Sequence, residues 1–91
     1  MRSKNKPAQT ADEKRYVSLL ADHPCVICGS TPVEIHEFEQ GDWYTSVPLC
    51  PRHHRDPVRG WHGNRLDWKL ARMDAMKAIN LTVGRVFKGL L

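Results

Sequence analysis

The residues in this chain whose spacing can do chemistry are its cysteines and histidines. Cys25-Val26-Ile27-Cys28-Gly29 is answered further on by Cys50-Pro51-Arg52-His53-His54, and His62 lies just beyond. Two cysteines separated by two residues, then a cysteine and a histidine with the same separation, form the four-ligand set of a structural zinc ion: Cys25, Cys28, Cys50 and His53. Three cysteines cannot pair off as disulfides, and their clustering suits thiolate ligation in a reducing cytosol. Adjacent helical residues diverge by about 100°, so His54 is the alternative fourth ligand, with His53 turned away. In the first assignment His36, His54 and His62 are left over. If a hairpin packs against the ligand-bearing helix, as a shared zinc requires, His36 and His54 face each other across a small gap.

A chain of 91 residues makes one domain at most, and one this short struggles to bury enough apolar surface, a shortfall that a metal can offset. The expected organisation is a disordered basic tail over residues 1–9 and a single zinc-stabilised domain over residues 10–91, with its core at 25–68. Fourteen Lys and Arg against ten Asp and Glu give a formal charge of +4. Glu34, Glu37, Glu39 and Asp42 form an acidic patch between two basic stretches, Arg2 to Arg15 and Arg52 to Arg72. That distribution suits a polyanionic partner, although charge alone equally describes a solvated mixed surface. The basic start leads into no apolar core, so it is no secretory signal, and no apolar run approaches the roughly twenty residues needed to cross a bilayer. A soluble, cytoplasmic protein without a membrane partner is expected.

Several elements must position these groups. Thr10-Ala11-Asp12-Glu13 matches a capping box and predicts a helix over 11–21 that buries Tyr16, Leu19 and Leu20 and is stopped by Asp22-His23-Pro24. His23 reads as a turn residue. Cys25–Gly29 reads as a zinc knuckle in which Gly29 takes a positive φ. Val33-Glu34-Ile35-His36 alternates like a strand with one covered face, which puts Glu34 and His36 on the accessible side. Trp43-Tyr44-Thr45-Ser46-Val47 predicts the second strand of an antiparallel hairpin, ended by Pro48. Cys50 should cap a short helix with Pro51 at its first position and His53 in its first turn, where the helix N-terminus favours a thiolate. Asp56-Pro57 ends that helix. A further helix over 64–80 and a last one capped by Thr82 follow from the spacing of Leu66, Leu70, Met73, Ile79, Val83, Val86 and Phe87. Trp43, Trp61 and Trp68 read as core, and Asn64 as a helix cap. The class is α+β: a treble-clef or ββα-metal core of knuckle, hairpin and short helix, flanked by an N-terminal helix and C-terminal helices.

At this point the chain resembles the HNH, or ββα-metal, endonucleases, in particular small phage and prophage members with a zinc-bound core. The resemblance rests on Cys25-Val26-Ile27-Cys28-Gly29, Ile35-His36-Glu37, Val47-Pro48-Leu49-Cys50-Pro51-Arg52-His53-His54 and Trp61-His62-Gly63-Asn64, and it covers about half the chain, residues 25–68. It implies that His36 is the general base that activates water, and that His54, joined by His62, holds a divalent metal (Mg²⁺, Mn²⁺ or Ni²⁺). Three departures accompany it. Ile35 stands where the family often has a metal ligand before the base histidine, and Glu37 follows His36 instead, so His36 as ligand and Glu37 as base is the shifted alternative. Thr45 replaces the asparagine that orients the base, with Thr45 or Asp42 as its candidate substitutes. His53 stands where a fourth cysteine is commoner.

Two functions are therefore carried forward. The first is a metal-dependent DNA endonuclease that hydrolyses phosphodiester bonds, with Arg52, Arg55, Arg59, Arg65 and the basic tail on the phosphates. The second is a non-catalytic treble-clef zinc module that binds nucleic acid or a protein partner. For the first, the sequence leaves open a homodimer that cuts both strands, or action beside phage packaging or recombination proteins.

Overall fold

The computed structural model describes residues 8–91, so most of the expected basic tail lies outside the described residues. Helix α1 (Ala11–Ala21) starts at the capping box: the Glu13 amide donates to the Thr10 hydroxyl at 3.0 Å, and the Thr10 amide donates to the Glu13 carboxylate at 2.7 Å. Such a cap is worth about 1 kcal/mol. It aims Leu20, which is fully buried, at the core, with Tyr16 and Leu19 half-buried beside it. His23 turns back on the helix end, its Nδ1 2.8 Å from the Leu19 carbonyl, and belongs to no ligand cluster among the described residues.

The knuckle closes as its cysteine spacing implies. The Gly29 amide donates to the Cys25 carbonyl at 2.8 Å, and Gly29 adopts a φ of 77°, which only glycine takes without cost. Strand β1 (Glu34–His36) then pairs antiparallel with β2 (Val47–Leu49) in the register Glu34 to Leu49, Ile35 to Pro48 and His36 to Val47. The second strand is thus later than expected, with Pro48 at its centre rather than at its end. Proline is tolerated because residue 48 turns its backbone away from β1: its carbonyl accepts from the Val26 amide at 3.0 Å, which ties the knuckle to the sheet. Trp43–Thr45, expected as strand, is a single 3₁₀ turn. Its backbone is satisfied locally instead, with the Thr45 amide donating to the Asp42 carbonyl and the Ser46 amide to the Trp43 carbonyl.

Helix α2 (Pro51–His54) follows directly, with Cys50 as N-cap and Pro51 in its first turn, as expected. The single helix expected over 64–80 is two, α3 (Leu66–Leu70) and α4 (Ala75–Leu90). Arg72 at a φ of 53° ends the first, and Asp74 caps the second by accepting from the Lys77 amide at 2.8 Å. Helix α4 continues through Asn80, Thr82 and both its glycines, so no separate last helix forms. Its inner side places Ala78, Thr82 and Val86 in the interior, while Met76, Val83, Phe87 and Leu90 are exposed.

The result is a small α+β unit: helices around a two-stranded antiparallel sheet with a Cys/His cluster at its centre. Cys25 and Cys50 are themselves part of the core, packed with Val26, Val47, Leu49, Trp68 and Ala78. Trp68 is 1% exposed and donates its indole N–H to the His53 carbonyl at 3.0 Å, which pins α3 onto α2. Trp61 packs half-buried against the same cluster. Among the described residues no helix is long and apolar enough to cross a membrane.

Candidate metal centres

The knuckle and the start of α2 bring Cys25, Cys28, Cys50 and His53 together, with their ligand atoms all within 4.8 Å of one another. Cys28 Sγ and Cys50 Sγ are 3.8 Å apart, Cys25 Sγ and His53 Nδ1 3.8 Å, and Cys50 Sγ and His53 Nδ1 3.3 Å. A tetrahedron with Zn–S bonds of about 2.3 Å and a Zn–N bond of about 2.0 Å has S···S edges of about 3.8 Å and S···N edges of about 3.5 Å. The donor set therefore fits a zinc ion, and the sulfurs are too far apart to be bonded. Electrostatics agree: burial pushes the Cys25 thiol up to about 11, a cost that a cation at the centre offsets. Burial also acts upward on Cys28, but hydrogen bonds from the Ser30 side chain and backbone and from Cys50 and Cys25 together outweigh it and draw this thiol down to about 7.

Behind this cluster, the other nitrogen of His53 meets a carboxylate. Its Nε2 lies 2.7 Å from Asp67 Oδ2, and the His53 hydrogen bond, with help from Arg59, holds the Asp67 carboxyl below its usual range. A carboxylate only accepts, so Nε2 carries the proton and the Nδ1 lone pair faces the sulfurs. The geometry groups His53, not His54, with the three cysteines.

The three remaining histidines converge. His36, His54 and His62 form a second group whose ligand nitrogens all lie within 4.8 Å. His36 Nδ1 is 3.3 Å from His54 Nε2, and His62 Nε2 is 3.2 Å from the same atom. Metal–nitrogen bonds of about 2.0 Å in a tetrahedral arrangement give N···N edges of about 3.3 Å, so these rings also fit a metal. His36 was expected on an accessible face and is instead 4% exposed. Helix α2 and the aromatic rings of Phe38 and Trp61 cover it, at centroid distances of 4.6 and 5.9 Å. Burial, with the neighbouring His54 and His62, pushes its proton affinity down to about 4, so the ring is neutral at pH 7. Its Nε2 is buried without a hydrogen-bond partner among the described residues. The Thr45 hydroxyl donates to the Asp42 carbonyl and not to His36, so it does not replace the orienting asparagine.

His62 reaches the cluster because the loop after α2 folds back on that helix. The Trp61 amide donates to the His53 carbonyl at 2.9 Å and the His62 amide to the His54 carbonyl at 3.1 Å. Gly60 and Gly63 permit this return, since a Cβ on either would strike the backbone of residues 55–57. Asn64 is exposed and caps no helix. In front of the three rings opens a cleft of about 330 Å³, which Glu37, Gln40, Trp43 and Ile35 also line. Glu37 accepts from the Gly41 amide at 3.1 Å across the turn.

The four arginines expected on phosphates surround these centres, three of them engaged with carboxylates. Arg55 meets Glu34 at 2.6 Å, and Arg52 and Arg59 meet Asp67 at 3.6 and 3.0 Å. Arg65 stacks over the Trp61 ring at 3.6 Å and donates to the Trp61 carbonyl. Two site residues were missed by reading the sequence, Glu34 and Asp67. Glu34 sits two positions before His36, so strand alternation puts both on one face, which was the available signal. Asp67 joins His53 across the loop between α2 and α3, and no local pattern marks it. Comparison with protein-family models, with characterised proteins and with solved structures finds no match to this chain.

Proposed function

We propose that the chain is a metal-dependent DNA endonuclease of the HNH kind, built on a treble-clef core whose Cys₃His cluster holds zinc. The observation that carries this reading is the convergence of His36, His54 and His62, which the zinc cluster does not need, at the floor of an open cleft. A divalent ion there would supply Lewis-acid charge opposite a scissile phosphate. His54 and His62 would hold it through their Nε2 atoms. His36, buried and with its Nδ1 turned toward His54 Nε2 at 3.3 Å, would do the same, and that orientation argues for a ligand rather than a base. Glu37, on the cleft wall, is then the group that takes the proton of the attacking water on a carboxylate oxygen. Arg65 and the partly engaged Arg52, Arg55 and Arg59 hold the DNA backbone. Imidazoles without a carboxylate suit Ni²⁺ better than Mg²⁺, which prefers oxygen ligands.

The test is supercoiled plasmid incubated with purified protein and each of the three ions. Nicked or linear product is expected with Ni²⁺ or Mn²⁺, and none from His54→Ala. Equal rates for the two proteins, or no product with any ion, would reject the nuclease. The second reading, a non-catalytic zinc module that binds nucleic acid or a protein, is favoured by the absence of any hydrogen bond orienting His36 at Nε2. It expects DNA binding that weakens steeply with salt, and no cleavage.

A further inference from the structure

We propose that Glu34 is a positioning residue, which sets the tautomer of His54 so that its Nε2 lone pair points into the three-histidine centre. Glu34 Oε1 lies 2.7 Å from His54 Nδ1. The opposite nitrogen of the same ring is the one that faces His36 at 3.3 Å and His62 at 3.2 Å. An ionised carboxylate has no proton to give, so Nδ1 is the protonated nitrogen and Nε2 is left free to bind a metal. Without such a partner an imidazole in water carries its proton mainly on Nε2, the atom needed here as a ligand.

Glu34 is itself braced. Its backbone pairs with Leu49 in the sheet, and Arg55 grips both carboxylate oxygens, with Nε donating to Oε1 at 2.9 Å and a terminal nitrogen 2.6 Å from Oε2. The same device recurs one residue earlier in mirror form. Asp67, held by Arg59 at 3.0 Å, accepts a hydrogen bond from His53 Nε2–H and leaves Nδ1 free for the cysteine cluster. Two adjacent histidines on one four-residue helix thus adopt opposite tautomers, each imposed by a carboxylate that an arginine fixes in place. A carboxylate behind a metal-bound histidine typically accounts for 10- to 100-fold in metal affinity, so the expected effect is about that size.

The inference rests on the second metal centre but not on catalysis, so its experiment avoids DNA. Zinc-loaded wild type, Glu34→Ala, Glu34→Gln and Arg55→Ala are titrated with Ni²⁺ by calorimetry, after zinc content and circular dichroism show each to be folded. Long-range ¹H–¹⁵N NMR reads the His54 tautomer before nickel is added. Wild type should show His54 protonated at Nδ1 and bind one Ni²⁺. Glu34→Ala should shift the proton to Nε2 and weaken Ni²⁺ about 10- to 100-fold. Glu34→Gln, which keeps an acceptor oxygen, should recover part of the affinity, and Arg55→Ala should lose only a few-fold. A His54 tautomer unchanged in both Glu34 variants, or Ni²⁺ bound by Glu34→Ala as tightly as by wild type, overturns the proposal. Wild type that binds no Ni²⁺ overturns the metal centre, while the NMR comparison still decides the tautomer role.

Discussion

Stripping zinc from the folded protein is expected to abolish its cooperative melting transition and most of its circular dichroism over the core. The reason is the size of the parts. Each strand is three residues long and α2 is four, lengths at which neither a hairpin nor a helix is stable alone in water. What joins them is the cluster of Cys25, Cys28, Cys50 and His53, two of whose sulfurs lie inside the apolar core. Without a cation, burial pushes the Cys25 thiol up to about 11, so the core then encloses a protonated thiol in place of a metal-bound thiolate. A structural zinc contributes about 10–16 kcal/mol of apparent binding energy at neutral pH. The net stability of a small domain is only about 5–15 kcal/mol, so the loss should be complete rather than graded. The check is calorimetry on protein whose zinc is confirmed absent by elemental analysis. An unchanged melting profile would mean that the apolar core stands without the metal.

Glu37→Gln is expected to lower the rate of DNA cleavage by about 10²- to 10⁴-fold, the span a general base usually supplies, while leaving Ni²⁺ affinity within a few-fold of wild type. His36→Ala should lose cleavage and Ni²⁺ binding together. The two variants separate roles that the sequence alone leaves interchangeable. His36 is buried, neutral and aimed through Nδ1 at the other two rings, whereas Glu37 lines the open cleft. Isosteric and uncharged, glutamine at 37 still fills the cleft wall and accepts from the Gly41 amide, so a loss of rate reports the missing proton acceptor rather than a collapsed turn. The reverse pattern, with cleavage intact in Glu37→Gln and Ni²⁺ affinity intact in an inactive His36→Ala, would return the base to His36.

What could be read from the chain was local. The capping box at Thr10, the positive φ of Gly29 and Pro51 behind Cys50 each depend on a few neighbouring residues, and each is where the spacing put it. The Cys/His cluster was legible because its two ligand pairs each recur at a three-residue interval, whereas the meeting of His36 with His54 followed only from a hairpin packed on the ligand-bearing helix, and the place of His62 only from the family resemblance. Failures occurred where a distant partner decides. Pro48 sits mid-strand because its backbone faces the knuckle, which period-two alternation cannot reveal. His36 is covered because α2 and the Trp61 ring, both distant in sequence, close over the outer face of β1 together with the nearby Phe38 ring. The break at Arg72 follows from the Asp74 cap, which competes with an otherwise continuous helical pattern. Glu34 and Asp67 acquire meaning only once α2 is folded against both.

A crystal of the zinc-bound protein soaked in Ni²⁺ or Mn²⁺ and measured at that metal's absorption edge tests the central claim most directly. The account predicts an anomalous peak about 2.1 Å from His36 Nδ1, His54 Nε2 and His62 Nε2, distinct from the zinc beside Cys25. Anomalous density at the cysteine cluster alone, with the three imidazoles turned apart, would contradict it.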